Sequence, residues 1–245
     1  MHQNHSTQYL LIVLFACLVA IYYFFDFGAG DTDKVFITIT TFFFSIFTGF
    51  FITRQGARYT KIREIISSFD GKMSSVYRAS GNLSESIQQK IGIIIKDHYQ
   101  KILDSRAWDY HFVNKSTTIK DIHAVLETEI GDNKAESLRN QAIGRVLTGL
   151  GDCQVLRKNM VMIYQERIPS FQWFLIFVFM LILLAAISIL PSAGILMPSL
   201  LKAAFVVAIM SVIVILHNLD NLHLFEAFIG ENSAKDVINL IEGTK

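Results

Sequence analysis

Two cysteines and three prolines in 245 residues, and no stretch of alternating apolar and polar residues, already narrow the architecture. Cys17 falls in an apolar run and Cys153 in a charged region, so neither a disulfide framework nor a cysteine metal site is implied. No strand pattern and no internal repeat emerges, which leaves a helical chain. Charge is also scarce: 18% of residues are charged against 52% hydrophobic, too apolar for an ordinary soluble domain. There is no phosphate loop, nucleophile elbow or zinc-protease helix, so enzyme chemistry has little support and no cofactor is implied. Basic residues are dispersed among acids rather than gathered beside exposed aromatics, which argues against nucleic acid as a partner.

What is present is lipid-compatible sequence. Four runs, at 8–27, 35–53, 171–190 and 196–217, are each about 20 residues, enough at ~1.5 Å per helical residue to cross a hydrocarbon core ~30 Å thick. The first has no basic leader and no small-residue cleavage site, and is expected to be a retained helix rather than a signal peptide. Tyr22, Tyr23, Gln172 and Trp173 suit the membrane interface.

Charge placement orients these spans. Of the 22 Lys and Arg residues, 18 lie between Arg54 and Arg167, so this segment is expected on the cytoplasmic side. Both termini follow it inside, with short outer connections at "GAGDTDK" and at 191–198. The 13 acidic residues in the same segment leave a formal charge of about +5, compatible with anionic lipid heads or ligands and equally with a solvated helical surface.

The cytoplasmic segment has helical periodicity almost throughout. The helix of the second span is expected to continue through about residue 69. Ser84 can cap a helix that places Ile87, Ile91, Ile94, His98 and Ile102 on one face, with His98 read as a satisfied core histidine. Thr117 or Thr118 can start another helix, stopped at Gly131. A third pattern runs through Leu138, Ala142, Val146 and Leu150, loosens at "GLGD", and resumes before Pro169 opens the third span. Asp104, Arg106 and Asp109 around Trp108 read as a packing and salt-bridge corner.

The second span carries the most information. At 100° per residue, Thr38, Thr41, Ser45 and Thr48 fall within an arc of about 80°, which Ile52 and Gln55 extend. Phe36, Phe43, Phe47 and Phe50 form an opposite stripe continued by Arg54, Arg58 and Lys61. Three explanations compete. The hydroxyls can bond to carbonyls one turn back or to a neighbouring helix. Copies of the helix can surround an axis, with hydroxyls replacing part of an ion's hydration. Or the Phe stripe can face that axis as an apolar constriction, with Arg54 and Arg58 at its inner mouth.

Other charged positions invite function. Lys202 lies inside the fourth span, where it can snorkel outward, pair with Asp26, or contribute a lysine ring. Asp26, Asp31 and Asp33 against Lys34 make the outer mouth modestly acidic, which would concentrate cations, while the inner mouth is basic, so that selectivity stays open. Asp220, His223 and Glu226, with His217, recur at helical spacing below the fourth span. They are the weak candidates for a divalent ion, and as readily bond lipid heads or neighbouring helices.

Several stretches together resemble the bestrophin-like family of bacterial and plant membrane proteins: "SVYRASGNLSESIQQKI", Trp108 after a helix, "ERIPSFQW" entering the third span, and "LDNLHLFEAFIGENSAKDVI" after the fourth. The resemblance implies an all-α membrane protein in which two transmembrane hairpins flank a helical cytoplasmic region. The expected divisions are 1–53, 54–169, 170–217 and a cytoplasmic segment 218–245. It also implies a homo-oligomeric ion channel in a bacterial plasma membrane, with five subunits placing their second helix around one pore for small ions. The acidic calcium cluster of bestrophins is matched only by Asp220, Glu226, Glu231 and Asp236, spread among apolar residues, so calcium gating is not expected. The reading from a different class is a membrane-anchored signalling or scaffold protein whose cytoplasmic helices bind a partner.

Overall fold

The computed structural model describes residues 2–25, 34–105, 109–114, 116–130, 137–190, 195–222 and 230–243. Helix accounts for 91% of them, and there is no strand among the described residues. The described helices are α1 His2–Phe24, α2 Lys34–Ser80, α3 Glu85–Ser105, α4 Tyr110–Val113, α5 Thr118–Ile130, α6 Ser137–Gln165, α7 Ser170–Ile189, α8 Leu196–Asp220 and α9 Gly230–Glu242. Three candidate membrane spans, within Val35–Ser80, Arg139–Ile189 and Leu196–Asp220, have the required length and composition; the apolar part of α1, Ile12–Phe24, is shorter. Asp26, Asp31, Asp33, Arg106, Trp108, Gly131, His223 and Glu226 lie outside the described residues.

The chain divides into two compact units, Met1–Ala57 with Arg167–Leu224, and Arg58–Glu166 with Phe225–Lys245. The first is the apolar unit. Ile176, Met180, Leu183 and Ile187 recur every three or four residues along α7, the spacing that puts them on one face. That face meets Phe44 and Phe51 of α2 and Ile209 and Leu216 of α8. The other side of α8 presents Ala203 and Val206 to Phe15, Leu18, Val19 and Tyr22 of α1. Polar contacts fix this register: Tyr22 Oη lies 3.2 Å from Ser188 Oγ, and Ser199 Oγ donates to the Tyr22 carbonyl at 3.1 Å.

The second unit is built from amphipathic helices around one core. Phe69, Met73 and Val76 of α2 meet Ile87, Ile91, Ile95, Tyr99 and Ile102 of α3 and Val146, Leu150 and Cys153 of α6. Ala234, Val237 and Ile238 of α9 pack into the same cluster. Ser84 caps α3 as its sequence position suggests, accepting from the Ile87 amide at 3.1 Å. The buried stripe of α3 runs through Ile95, with Ile94 only half-buried. α2 extends to Ser80, beyond the expected end near residue 69. At "GLGD", where loosening was expected, α6 continues unbroken. Gly149 serves close packing there: a Cβ at this position would sit 2.7 Å from Val76 Cγ2.

His98 is buried with polar partners. Its Nδ1 lies 2.8 Å from Thr118 Oγ1, and its ring stacks on His111, centroids 3.6 Å apart and planes 8° from parallel. The His111 Nε2–H donates to the His98 carbonyl at 2.7 Å. Burial, with the like charges that His111, Lys101 and Arg157 would bring, holds His98 well below the usual imidazole range. Burial lowers His111 also, aided by Lys101 and Arg157 and opposed by the His98 carbonyl and Asp97.

Two outcomes follow for stability. Alanine is the better helix former by about 1 kcal/mol, so Gly151→Ala, whose Cβ meets nothing within 4 Å, should leave the thermal midpoint of the detergent-solubilised protein unchanged or raise it. Gly149→Ala should lower the midpoint, by an overpacking cost of about 1–3 kcal/mol. The histidine pair favours folding when neutral. Its contribution is therefore complete above the unfolded-state pKa of about 6.5 and is lost as pH falls through the lower folded values, and His111→Phe should flatten that acid limb.

Candidate functional site

An apolar helix that packs in a protein must present one side to its neighbours, and in α2 that side is Phe44, Thr48, Phe51 and Gln55, all buried. Phe51 is 2% exposed, whereas Phe42 and Ile46 on the opposite side are 61% and 50% exposed. The outward arc comprises Val35, Ile39, Phe42, Ile46, Gly49 and Thr53. It lies between the two stripes singled out in the sequence, which form its flanks. On one flank Thr38 and Ser45 are exposed, Thr41 is half-buried and Thr48 points into the protein; on the other, Phe36, Phe43 and Phe50 are exposed and Phe47 is half-buried. Phe43 and Phe47 both lie against the Phe179 ring of α7, at 6.1 and 5.4 Å between centroids.

Four threonine hydroxyls in the apolar stretch of α2 bond to their own helix. Thr41 Oγ1 donates to the Ile37 carbonyl at 2.8 Å and Thr48 Oγ1 to the Phe44 carbonyl at 2.6 Å, as do Thr40 to Phe36 and Thr53 to Gly49. This is the back-bonding reading of the stripe. It leaves the oxygen lone pairs of exposed hydroxyls able to accept.

Charged positions resolve differently from one another. Arg58 is buried and donates from Nε to the Ile163 carbonyl at 2.9 Å and from Nη2 to the Tyr164 carbonyl at 2.6 Å, capping the C-terminus of α6. Arg54 is half-buried at the end of the apolar stretch. Lys202 is only 6% exposed: its ammonium donates to the Ser188 and Leu190 carbonyls at the end of α7 and lies 5.1 Å from the Tyr22 ring centre. The cation thus caps the C-terminal end of α7.

Asp220, at the end of α8, is also buried and gathers three donors from distant parts of the sequence. Its Oδ1 accepts from Gln55 Nε2 at 3.1 Å and from the Ile168 amide at 2.8 Å; its Oδ2 accepts from the Trp173 indole N–H at 3.3 Å. One carboxylate therefore ties α2, the turn before α7, α7 itself and α8 together. His217 packs edge-on against Trp173, and Asn221 accepts from Arg167 at 3.3 Å. Among the described residues no group of three His, Cys, Asp or Glu side chains could hold a metal, and Asp220 acts as a structural acceptor. The sequence reading missed this junction because its donors lie at positions 55, 168 and 173. The outward arc was missed too, although Phe44, Phe51 and Gln55, seven and four residues apart, mark the opposite face.

Removing Asp220 would take away the acceptor shared by the half-buried Trp173 indole, the Gln55 amide and the Ile168 backbone N–H. Asp220→Ala should cost about 2–4 kcal/mol, read as a lowered thermal midpoint in detergent, and Asp220→Asn, which keeps one acceptor oxygen, should cost less.

Searches of curated proteins and of solved structures gave no match. The family model for the Bestrophin-like domain matches residues 29–236, more than four-fifths of the chain, from before α2 to within α9. With that match and its apolar helices, the chain is a membrane protein that belongs to the bestrophin-like family.

Proposed function

We propose that this protein is a homo-oligomeric ion channel in which α2 from each subunit, five by analogy with bestrophins, lines a central pore. The observation that carries the reading is the outward arc of α2. In a chain of a family whose bestrophin relatives are oligomeric channels, this helix buries Phe44, Thr48 and Phe51 and leaves Val35, Ile39, Phe42 and Ile46 uncovered within the protomer. Repeated around an axis, that arc is an apolar neck flanked by Thr38 and Ser45 on one side and Phe43 and Phe50 on the other, with Thr41, Thr48 and Phe47 behind it. Arg54 supplies charge at the inner mouth, where the Arg58 guanidinium caps α6; Asp31 and Asp33 supply the outer one. Lys202 has a supporting role at the end of α7.

The basic segment 54–167 faces the cytoplasm in this reading, and both termini lie on the same side of a plasma membrane crossed four times. Permeation is passive and requires no chemical step. The scaffold alternative draws on one observation, the donation of the α2 threonine hydroxyls to their own helix, which suits mere helix association as well as a pore wall.

Purified protein in planar bilayers should give discrete currents. Ile46→Ala and Phe42→Ala should change unitary conductance several-fold, and Ser45→Ala should shift ion preference. Phe47→Ala, whose ring rests on Phe179, should act mainly on stability. Absence of currents from a verified oligomer would favour the scaffold reading.

A further inference from the structure

The second unit contains a small, partly enclosed cavity that the conduction reading does not use. Its described lining includes an apolar wall, Phe69, Ile102 and Ile119 among others, and a polar side made by His98, His111, Ser116, Thr118 and Arg157. Its volume of about 30 Å³ admits a water molecule or a halide-sized ion, and nothing much larger.

Arg157 is the anomaly. Its Nε–H is buried with no hydrogen-bond partner, and Nη2 reaches only the His111 carbonyl, at 3.5 Å. Among the described residues no carboxylate lies within ion-pair distance of it. Asp70, also on the cavity wall, has one oxygen taken by the Tyr99 hydroxyl at 2.6 Å and the other by Ser233. Both imidazoles are neutral near pH 7 because burial lowers them, so they add no positive charge. Arg157 as a whole is half-buried and its side chain also borders an open groove, so what is costly is the unmade Nε–H hydrogen bond beside the cavity, which an acceptor in the cavity would supply.

The hydroxyl chain offers a second donor. Thr118 Oγ1 lies 2.8 Å from His98 Nδ1 and 3.0 Å from Ser116 Oγ. With the proton on His98 Nδ1, the chain runs from His98 to Thr118 to Ser116, and the Ser116 O–H is left to donate elsewhere.

We propose that this cavity is a binding site for one small inorganic monovalent anion, held by Arg157 Nε–H and the Ser116 hydroxyl. Asp70 on the same wall disfavours multivalent anions. The site belongs to the second unit and is independent of whether α2 conducts.

The probe is sodium bromide on the full chain in detergent. Crystals grown in bromide should show an anomalous peak in the cavity beside Arg157 that is absent in Arg157→Gln. The thermal midpoint of the wild type should rise saturably with bromide relative to gluconate at fixed ionic strength, an effect weakened in Ser116→Ala. A cavity holding only water in bromide-grown wild-type crystals overturns the assignment, as does a midpoint rise that Arg157→Gln retains in full. Should Arg157→Gln not fold, the wild-type map and the Ser116→Ala titration still decide.

Discussion

In hydrocarbon no water stands by to complete a hydrogen bond, so every polar group carried into the apolar unit has to find its partner inside the protein. Its polar side chains can be read as answers to that one constraint. Threonine hydroxyls of α2 return to carbonyls of their own helix, the Lys202 ammonium takes the carbonyls that end α7, and Asp220 collects an amide, an indole and a backbone N–H. In the second unit the end of α6 is likewise completed from within the protein, by the Arg58 guanidinium.

Once those groups are spoken for, the uncovered side of α2 is almost wholly apolar. That bears on mechanism. A neck of Val35, Ile39, Phe42 and Ile46 would act on ions by controlling wetting rather than by coordinating them, and the exposed hydroxyls of Thr38 and Ser45 would modulate it from the flank. In the proposed channel, selectivity would then depend more on charge at the two mouths than on the middle of the helix.

The helical class, the Ser84 cap and most of the isoleucine stripe of α3 were legible because each is written in local spacing, while the family was legible through several short stretches taken together. His98 was legible as a core histidine, but its partners Thr118 and His111 were not. The outward face of α2 was harder still. A helix that is apolar all round gives periodicity little to distinguish, so the hydroxyl and Phe stripes stand out in the sequence while the plain, mostly apolar arc between them does not. Junctions such as Asp220 with Gln55, or Asp70 with Tyr99 and Ser233, join residues far apart in the chain and leave no local signature. Gly149 looked like a break and is a point of helix contact, which only the position of Val76 reveals.

The most direct measurement is thiol accessibility along α2 in bilayers, in a Cys17→Ser background, since Cys17 is exposed and Cys153 is buried. A water-soluble, membrane-impermeant methanethiosulfonate should react with Ile39→Cys, Phe42→Cys and Ile46→Cys and alter current, and leave Phe44→Cys untouched. Reaction at those three positions with lipid-soluble thiol reagents alone would place the arc against lipid and contradict the account.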